Sequence, residues 1–248
     1  MIQTDALVMA VTSAVGSDLA PMTPQGRKYL IPLNGRPAAM YLVENLKRCD
    51  LVSNVIVVSD QPNVTDFGAD ETIEVQGDLT DCVLAGIRAV SGSPRCLIMS
   101  GDMPLASPDA ISDLLTCAPA TDVVYPIVEK SDINEVFPGR KPYYVETKEG
   151  HYTGSSCLLF KPDLALSREQ LLMKLLNARS NPKELLSLVG PWVAMKFMMS
   201  KLALGEFEQI LSKALNMTCR VFISHFPELI TSIDTLGDIN LMEKELSL

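Results

Sequence analysis

The stretch Arg95-Cys96-Leu97-Ile98-Met99-Ser100-Gly101-Asp102-Met103-Pro104 decides the fold. A short apolar run enters Gly-Asp, and a proline and a new helix start follow. Bounded by turn residues in this way, the run reads as a buried strand. In an open α/β sheet, ligands sit beyond the carboxyl ends of the strands. Asp102 therefore falls where a carboxylate can hold a cation over a ligand. A hard oxygen donor at that edge suits Mg²⁺, which is usually held by one or two carboxylates plus substrate phosphates. The competing reading is a turn aspartate that caps the next helix. Ser107 and Pro108 already supply an N-cap and an N1 proline, which leaves Asp102 free for chemistry.

Outward from this point, strands and helices alternate. Asp5 to Thr12 reads as a first strand and Pro37 to Arg48 as an amphipathic helix. Asn54 to Ser59 is an all-apolar strand of the kind that parallel sheets covered on both faces require, and Thr72 to Val75 is a further candidate. Asp78 to Val90 and Ser107 to Cys117 read as helices, and Asp122 to Val128 as a strand. This order predicts a three-layer α/β/α fold around a mostly parallel, doubly wound sheet. Further on, Lys141 to Thr147 and Gly154 to Phe160 read as two strands joined through Lys148-Glu149-Gly150. Residues 167–217 read as almost wholly helical. Ser167-x-x-Gln170 and Asn181-Pro182-Lys183-Glu184 mark helix starts, and Gly190-Pro191 and Gly205 mark breaks. Thr218 to Ser224 returns as a strand and Thr235 to Leu246 closes as a helix. The expected organisation is one domain over residues 1–248 with a helical insertion at 167–217.

Composition limits the function. The formal charge of −9 at pH 7 argues against nucleic acid, whose binders show a basic face. Small anionic ligands stay open, because loop amides, a local lysine and a metal overcome net charge. None of the six cysteines forms a C-x-x-C pair, so they read as small buried hydrophobes in a reducing compartment. Two histidines make a His-based metal site a poor expectation. The start, Met1-Ile2-Gln3-Thr4-Asp5, has no basic segment of a secretory signal, and the expected location is the cytoplasm. Leu185 to Leu204 is the most apolar stretch. Gly190-Pro191, Lys196 and Lys201 interrupt it, so it reads as a buried hairpin or homodimer surface rather than a membrane span.

The first loop, Ser13 to Lys28, follows the first strand. Small residues there let backbone amides approach phosphate. Lys28 closes the loop and is placed to act as a point charge on a phosphate. Arg27 reads either as a second phosphate contact or as solvated loop charge.

Together, the small-residue loop, the lysine ahead of Leu30-Ile31-Pro32-Leu33-Asn34-Gly35-Arg36-Pro37, and the strand ending in Gly101-Asp102-Met103-Pro104 resemble the sugar-phosphate and molybdenum-cofactor type nucleotidyltransferases of the GT-A-like NTP-transferase fold. The likeness to the molybdenum cofactor guanylyltransferase branch is the nearest. Thr153-Gly154-Ser155-Ser156 and Ser232-Ile233-Asp234-Thr235-Leu236-Gly237-Asp238 continue it. The helices after Ser167 have no counterpart in it.

The resemblance implies a Mg²⁺-dependent enzyme. An acceptor, commonly a phosphate monoester, attacks the α-phosphorus of a nucleoside triphosphate and pyrophosphate leaves. Asp102 and Asp234 would hold Mg²⁺, with Asp102 and Lys28 as catalytic residues. Ala14, Gly16 and Ser17, with Arg27 and Gly101, would cradle the triphosphate. Gln76, Gly77 and Asp78 lie where the family contacts the base. Lys141, Thr153, Gly154 and Ser155 would face the acceptor. Asp234 stands at a strand end just before a capping box, Thr235-x-x-Asp238, which makes Asp238 structural.

The chain departs from the family's glycine-rich first loop. Ser13, Ala14 and Val15 replace glycines, and Asp18 stands near an expected arginine, where it repels a triphosphate. These departures speak for a second reading, a degenerate relative that binds a nucleotide or a partner without turnover. A third reading is a glycosyltransferase of related fold, although Ser100-Gly101-Asp102 lacks the first acid of an Asp-x-Asp metal motif.

Overall fold

The apolar run after Gln3 forms β1 (Thr4–Ala10), at the centre of a nine-stranded sheet. A computed structural model of the chain describes residues 2–13, 16, 18–23, 26–63, 66–178 and 202–247. A small two-stranded ribbon, β2 (Pro32–Leu33) and β3 (Arg36–Pro37), precedes α1 (Ala38–Lys47). The chain continues through β4 (Val52–Ser59), β5 (Glu71–Glu74), α2 (Leu79–Ala89), β6 (Cys96–Ser100), α3 (Pro108–Cys117) and β7 (Val123–Glu129). Then follow α4 (Lys130–Val136), β8 (Val145–Glu146), β9 (His151–Gly154), β10 (Cys157–Phe160), α5 (Pro162–Leu166) and α6 (Glu169–Ala178). The last elements are α7 (Leu204–Leu215), β11 (Cys219–Ser224), a 3-10 turn (Pro227–Ile230) and α8 (Leu236–Glu245).

The order β5-β4-β1-β6-β10-β7-β9-β8 places β1 and β6 side by side. β5, β4, β1 and β6 are mutually parallel, while β10 runs antiparallel to both β6 and β7. β11 pairs in parallel along β7 from Val123 to Val128. β9 and β10 therefore share the other edge of β7, one on each half.

Side chains alternate across the sheet as the two-residue period demands. Ala6, Val8 and Ala10 join the core under α1 and α3. Leu7 and Met9 join the core on the opposite face, under α2 and α5, with α6 and α7 packed against it. Both faces are covered, as the predicted three-layer α/β/α architecture requires. Gly86 lets α2 approach closely, since a Cβ there would lie 3.0 Å from Val58 Cγ2 and 3.2 Å from Leu7 Cδ1.

The region after β7 differs from the sequence reading. Of the strand expected over Lys141 to Thr147, only Val145 and Glu146 pair. Pro142 has no N–H to donate, and Tyr143 is 78% exposed. β9 was not expected, and it forms a hairpin with β8 around Thr147 to Gly150. The strand expected over Gly154 to Phe160 breaks at Ser155-Ser156, so that only Cys157–Phe160 pairs with β6. α4 carried no sequence signal. Ser167 does not start a helix. It caps the C-terminal end of α5, and its hydroxyl donates to the Leu164 carbonyl at 2.7 Å. Gly205 lies in the first turn of α7, one residue inside the helix start at Leu204. The helix start at Asn181, the break at Gly190-Pro191 and most of the apolar stretch Leu185 to Leu204 lie outside the described residues. Among the described residues, no helix is long and apolar enough to cross a membrane. The six cysteines are free thiols, five of them buried and Cys117 exposed.

Candidate active site at the carboxyl edge of the sheet

β6 ends at Ser100 and the chain leaves the sheet through Gly101. The Gly101 N–H donates to the Met9 carbonyl at 3.0 Å. A Cβ at Gly101 would lie 3.1 Å from that same oxygen and from Tyr29 Cβ. A residue without a side chain thus lets the backbone pass close against β1, and Asp102 emerges just beyond it. The Asp102 side chain is only 9% exposed. The Ser100 hydroxyl donates to its Oδ1, and its own carbonyl accepts the Ile233 N–H at 3.2 Å. Burial pushes the Asp102 carboxyl above its ordinary range, against the opposing pull of the Ser100 hydroxyl and the Lys28 charge.

Lys28 opens a 3-10 turn, Lys28–Leu30, which buried Tyr29 anchors in the core. Its Nζ donates to Asp234 Oδ1 at 2.8 Å and lies 3.9 Å from Asp102 Oδ2. The structure therefore brings together one lysine and two carboxylates that are distant in sequence. Asp234 does not end a strand. It lies in extended chain beyond the 3-10 turn that follows β11. Its side chain is 60% exposed, and Ser232 Oγ donates to Oδ2 at 3.1 Å. Partial desolvation by the surrounding walls raises its carboxyl. The Lys28 hydrogen bond and charge, Ser232 and the Arg140 charge outweigh this and hold it below the usual carboxylate range.

Asp238 caps α8 in the predicted box with Thr235. The sequence reading missed its partner, Arg140, whose Nε donates to Asp238 Oδ1 at 2.9 Å. Nothing local in the sequence marks this pair, because Arg140 comes from a loop and Asp238 from the first turn of α8, far apart in the chain.

The first loop is less complete. Ala14 and Ser17 lie outside the described residues. Gly16 is exposed, and its carbonyl accepts from Leu19 and Ala20. Leu19 is fully buried in the cluster with Ile31, Ile233 and Met242, which pins the loop against α8. The Ser13 N–H donates to the Gly26 carbonyl and closes the loop at its base. Asp18 is exposed. Arg27 does not join the lysine–carboxylate group. It donates through Nη2 to Gln61 Oε1, and its buried Nε has no partner among the described residues.

Gln76, Gly77 and Asp78 lie exposed between β5 and α2. The Asp78 carboxylate serves the α2 cap, accepting the Thr80 and Asp81 N–H groups, while Asp81 accepts the Asp78 N–H in return. This occupies its side chain locally, and any contact to a base there falls to Gln76, Gly77 or the backbone.

A cavity of about 710 Å³ opens beside Asp234, a size suited to a small ligand. Lys141, Thr153 and Gly154 line it, with Arg140, Tyr143 and Ser156. Ser155 does not. Its buried hydroxyl donates to the Leu229 carbonyl and accepts the Cys157 N–H, so Ser156 faces the cavity instead. The bend between β9 and β10 shifts the inward position by one residue.

The donor chemistry suits Mg²⁺. Asp102 and Asp234 offer hard oxygens that already share one cation, the Lys28 ammonium. Among the described residues no group of three or more His, Cys, Asp or Glu could hold a metal by itself. An ion held by Asp102 and Asp234 alone would take its remaining ligands from phosphates and water.

The chain is 24% identical over 91 residues to a protein of Pyrococcus horikoshii described as a probable molybdenum cofactor guanylyltransferase, covering 36% of this chain and 46% of that one. A protein of Thermococcus kodakarensis with the same description is 27% identical over 89 residues, covering 35% and 43%. The chain thus spans under half the length of these curated relatives. The fold is similar to that of a hypothetical transferase from Thermus thermophilus, with TM-score 0.85 and 28% identity over 96% of this chain and 100% of that one. It is also similar in fold to a CMP:2-keto-3-deoxy-manno-octonic acid synthetase complexed with CTP, with TM-score 0.64 and 16% identity over 99% and 98%. The model of the MobA-like NTP transferase domain matches residues 22–182, more than half of the chain, and the chain belongs to that family.

Proposed function

We propose that the chain is a Mg²⁺-dependent nucleotidyltransferase that moves a nucleoside monophosphate from an NTP to a phosphorylated small molecule and releases pyrophosphate. The observation that carries this reading is the Lys28 ammonium set between Asp102 and Asp234 at the carboxyl edge of the sheet. Family membership and the adjoining cavity support it. The acidic pI of about 4.8 keeps nucleic acid outside the proposal. A cytoplasmic location belongs to it.

In this reading a phosphate oxygen of the acceptor forms a bond to the α-phosphorus. The bond from that phosphorus to the bridging oxygen breaks, and the electron pair leaves on pyrophosphate. The chemistry asks for placement and charge stabilisation, with little covalent work for the protein. Asp102 and Asp234 would hold Mg²⁺, which supplies charge neutralisation on the phosphates. Lys28 carries the cation that meets developing negative charge. Lys141, Thr153, Gly154 and Ser156 position the acceptor, with Lys141 on its anionic group. Gly16 and Gly101, with Ala14 and Ser17, belong to the triphosphate side, and Gln76 and Gly77 to the base.

The test is pyrophosphate release with each of the four NTPs and Mg²⁺, against a panel of sugar phosphates, polyol phosphates and molybdopterin. Release with one pair, lost in Asp102→Asn, supports the proposal. Nucleotide binding with no release anywhere in the panel favours the degenerate binder, for which exposed Asp18 is the motive. Asp18→Arg then improves nucleotide affinity.

A further inference from the structure

Arg140 lies in the loop between α4 and β8 and touches neither Lys28 nor Asp102. Its side chain is only 8% exposed, and its partner Asp238 is 7% exposed. The guanidinium reaches three acceptors. Nε donates to Asp238 Oδ1 at 2.9 Å, Nη2 to the Ser232 carbonyl at 3.0 Å, and Nη1 to the Ile230 carbonyl at 3.3 Å. The other Asp238 oxygen, Oδ2, accepts the Asp234 N–H at 3.1 Å, the Thr235 N–H at 2.8 Å and the Thr235 hydroxyl at 2.9 Å.

Residues 230–235 are therefore held from both ends of one buried ion pair. The arginine takes the carbonyls before Asp234, and the aspartate takes the amides at and after it. The Ile233 N–H adds a third tie, to the carbonyl of Asp102. A segment without helix or strand pairing becomes fixed backbone, and the fixed point is the residue that meets Lys28. A cap for α8 needs only Asp238 and Thr235. It does not need a buried guanidinium, whose removal would leave Asp238 charged and unpaired out of water. Lysine cannot reproduce the arrangement, since three acceptors in divergent directions match the planar fork of arginine.

We infer that Arg140 is a positioning residue for Asp234, acting through Asp238 and the carbonyls of Ile230 and Ser232. Its consequence for turnover rests on the reading of Asp234 under Proposed function, whereas the positioning itself does not.

The experiment uses the full chain and two readouts. The first is amide hydrogen exchange in wild type, Arg140→Met, Arg140→Lys and Asp238→Asn. The expected result is exchange at the Ile233, Asp234 and Thr235 amides faster by at least about tenfold in Arg140→Met, with β1 and α2 unchanged and Arg140→Lys between. Unchanged exchange at those three amides overturns the inference. So does acceleration spread evenly over β1 and α2, or failure of all three variants to fold, because the pair is then merely structural. The second readout is binding of Mn²⁺ with each NTP, followed by electron paramagnetic resonance. Arg140→Met weakens it about tenfold or more in wild type and has no further effect in Asp234→Asn, since a residue acting through Asp234 is not additive with it. Additive losses overturn the inference. If wild type binds no Mn²⁺–nucleotide while the exchange pattern holds, the nucleotidyltransferase reading fails and the positioning stands.

Discussion

Asp102 is a carboxylate largely removed from water, with its nearest cation at 3.9 Å. That separation is beyond direct hydrogen bonding, and burial disfavours the ionised form of this carboxyl. Asp102→Asn keeps the shape and removes the charge. We expect its Tm at pH 7 to rise by about 2–4 °C, the effect of ~1 kcal/mol in a domain of this size, while metal-dependent nucleotide binding disappears. A calorimetric scan and a nucleotide titration read both, and a lower Tm would show that the ionised group stabilises the fold. Lys28 and its neighbour Arg27 separate cleanly. Lys28→Ala should lower the rate by about 10²–10³-fold, as loss of a transition-state donor does, and weaken nucleotide binding much less. Arg27→Ala, which loses the tie to Gln61, should leave the rate nearly unchanged. Steady-state kinetics on both variants decide this, and equal losses would return Arg27 to the phosphate site. At this scale the sequence pointed to Asp102 through its place at a strand end and to Lys28 as the residue that closes the first loop. Arg140 was illegible, because an ion pair between a loop and a distant helix leaves no spacing in the chain.

The central parallel strands β1, β4 and β6 were legible because each carries an apolar run with a turn behind it, the pattern that burial on both faces produces. The stretch from Arg140 to Phe160 was not. Its strands are two to four residues long, and β9 and β10 split one edge of β7 around a bend. Gly154 shows what the bend requires. A Cβ there would lie 1.9 Å from the Tyr125 hydroxyl oxygen and 2.7 Å from Cζ. The glycine is the space into which the β7 tyrosine extends, at the wall of the cavity. Gly154→Ala should cost roughly 1–3 kcal/mol, the usual penalty of overpacking. A second change, Tyr125→Leu, should recover much of it, since residues in contact are not additive. Urea unfolding of the two single variants and the double variant measures the coupling, and strict additivity would mean that the ring moves aside at no cost.

Across the molecule, the chain leaves the sheet after β10 and returns at β11, and both crossings meet at Asp122. Its carbonyl accepts the Lys161 N–H, and its Oδ1 accepts from Lys161 Nζ at 2.9 Å. Its Oδ2 accepts the Thr218 N–H at 2.8 Å and the Thr218 hydroxyl at 2.6 Å. The Thr218 hydroxyl first, then the Lys161 ammonium and the Thr218 N–H, hold the Asp122 carboxyl down to about 2. A carboxyl depressed on folding contributes stability above its unfolded value of roughly 3.9, and that contribution is lost as pH falls through the folded value. Asp122→Asn should therefore be less stable than wild type at pH 5–7, with the gap closing between about pH 4 and pH 2. Denaturation midpoints across that range test it, and a gap independent of pH would assign the effect to packing. The helical character of α6 and α7 between the crossings was legible, but this clamp was not, since it joins three residues far apart in the chain. Because the two ends of that excursion are tied to one side chain and to a strand pair six residues long, contacts other than the peptide linkage hold them together. Two polypeptides divided between α6 and α7 should find each other when expressed side by side. The protein is thus a natural substrate for fragment complementation, in which a separate carboxyl-terminal piece supplies β11, Asp234 and α8 to a partner that holds Lys28 and Asp102.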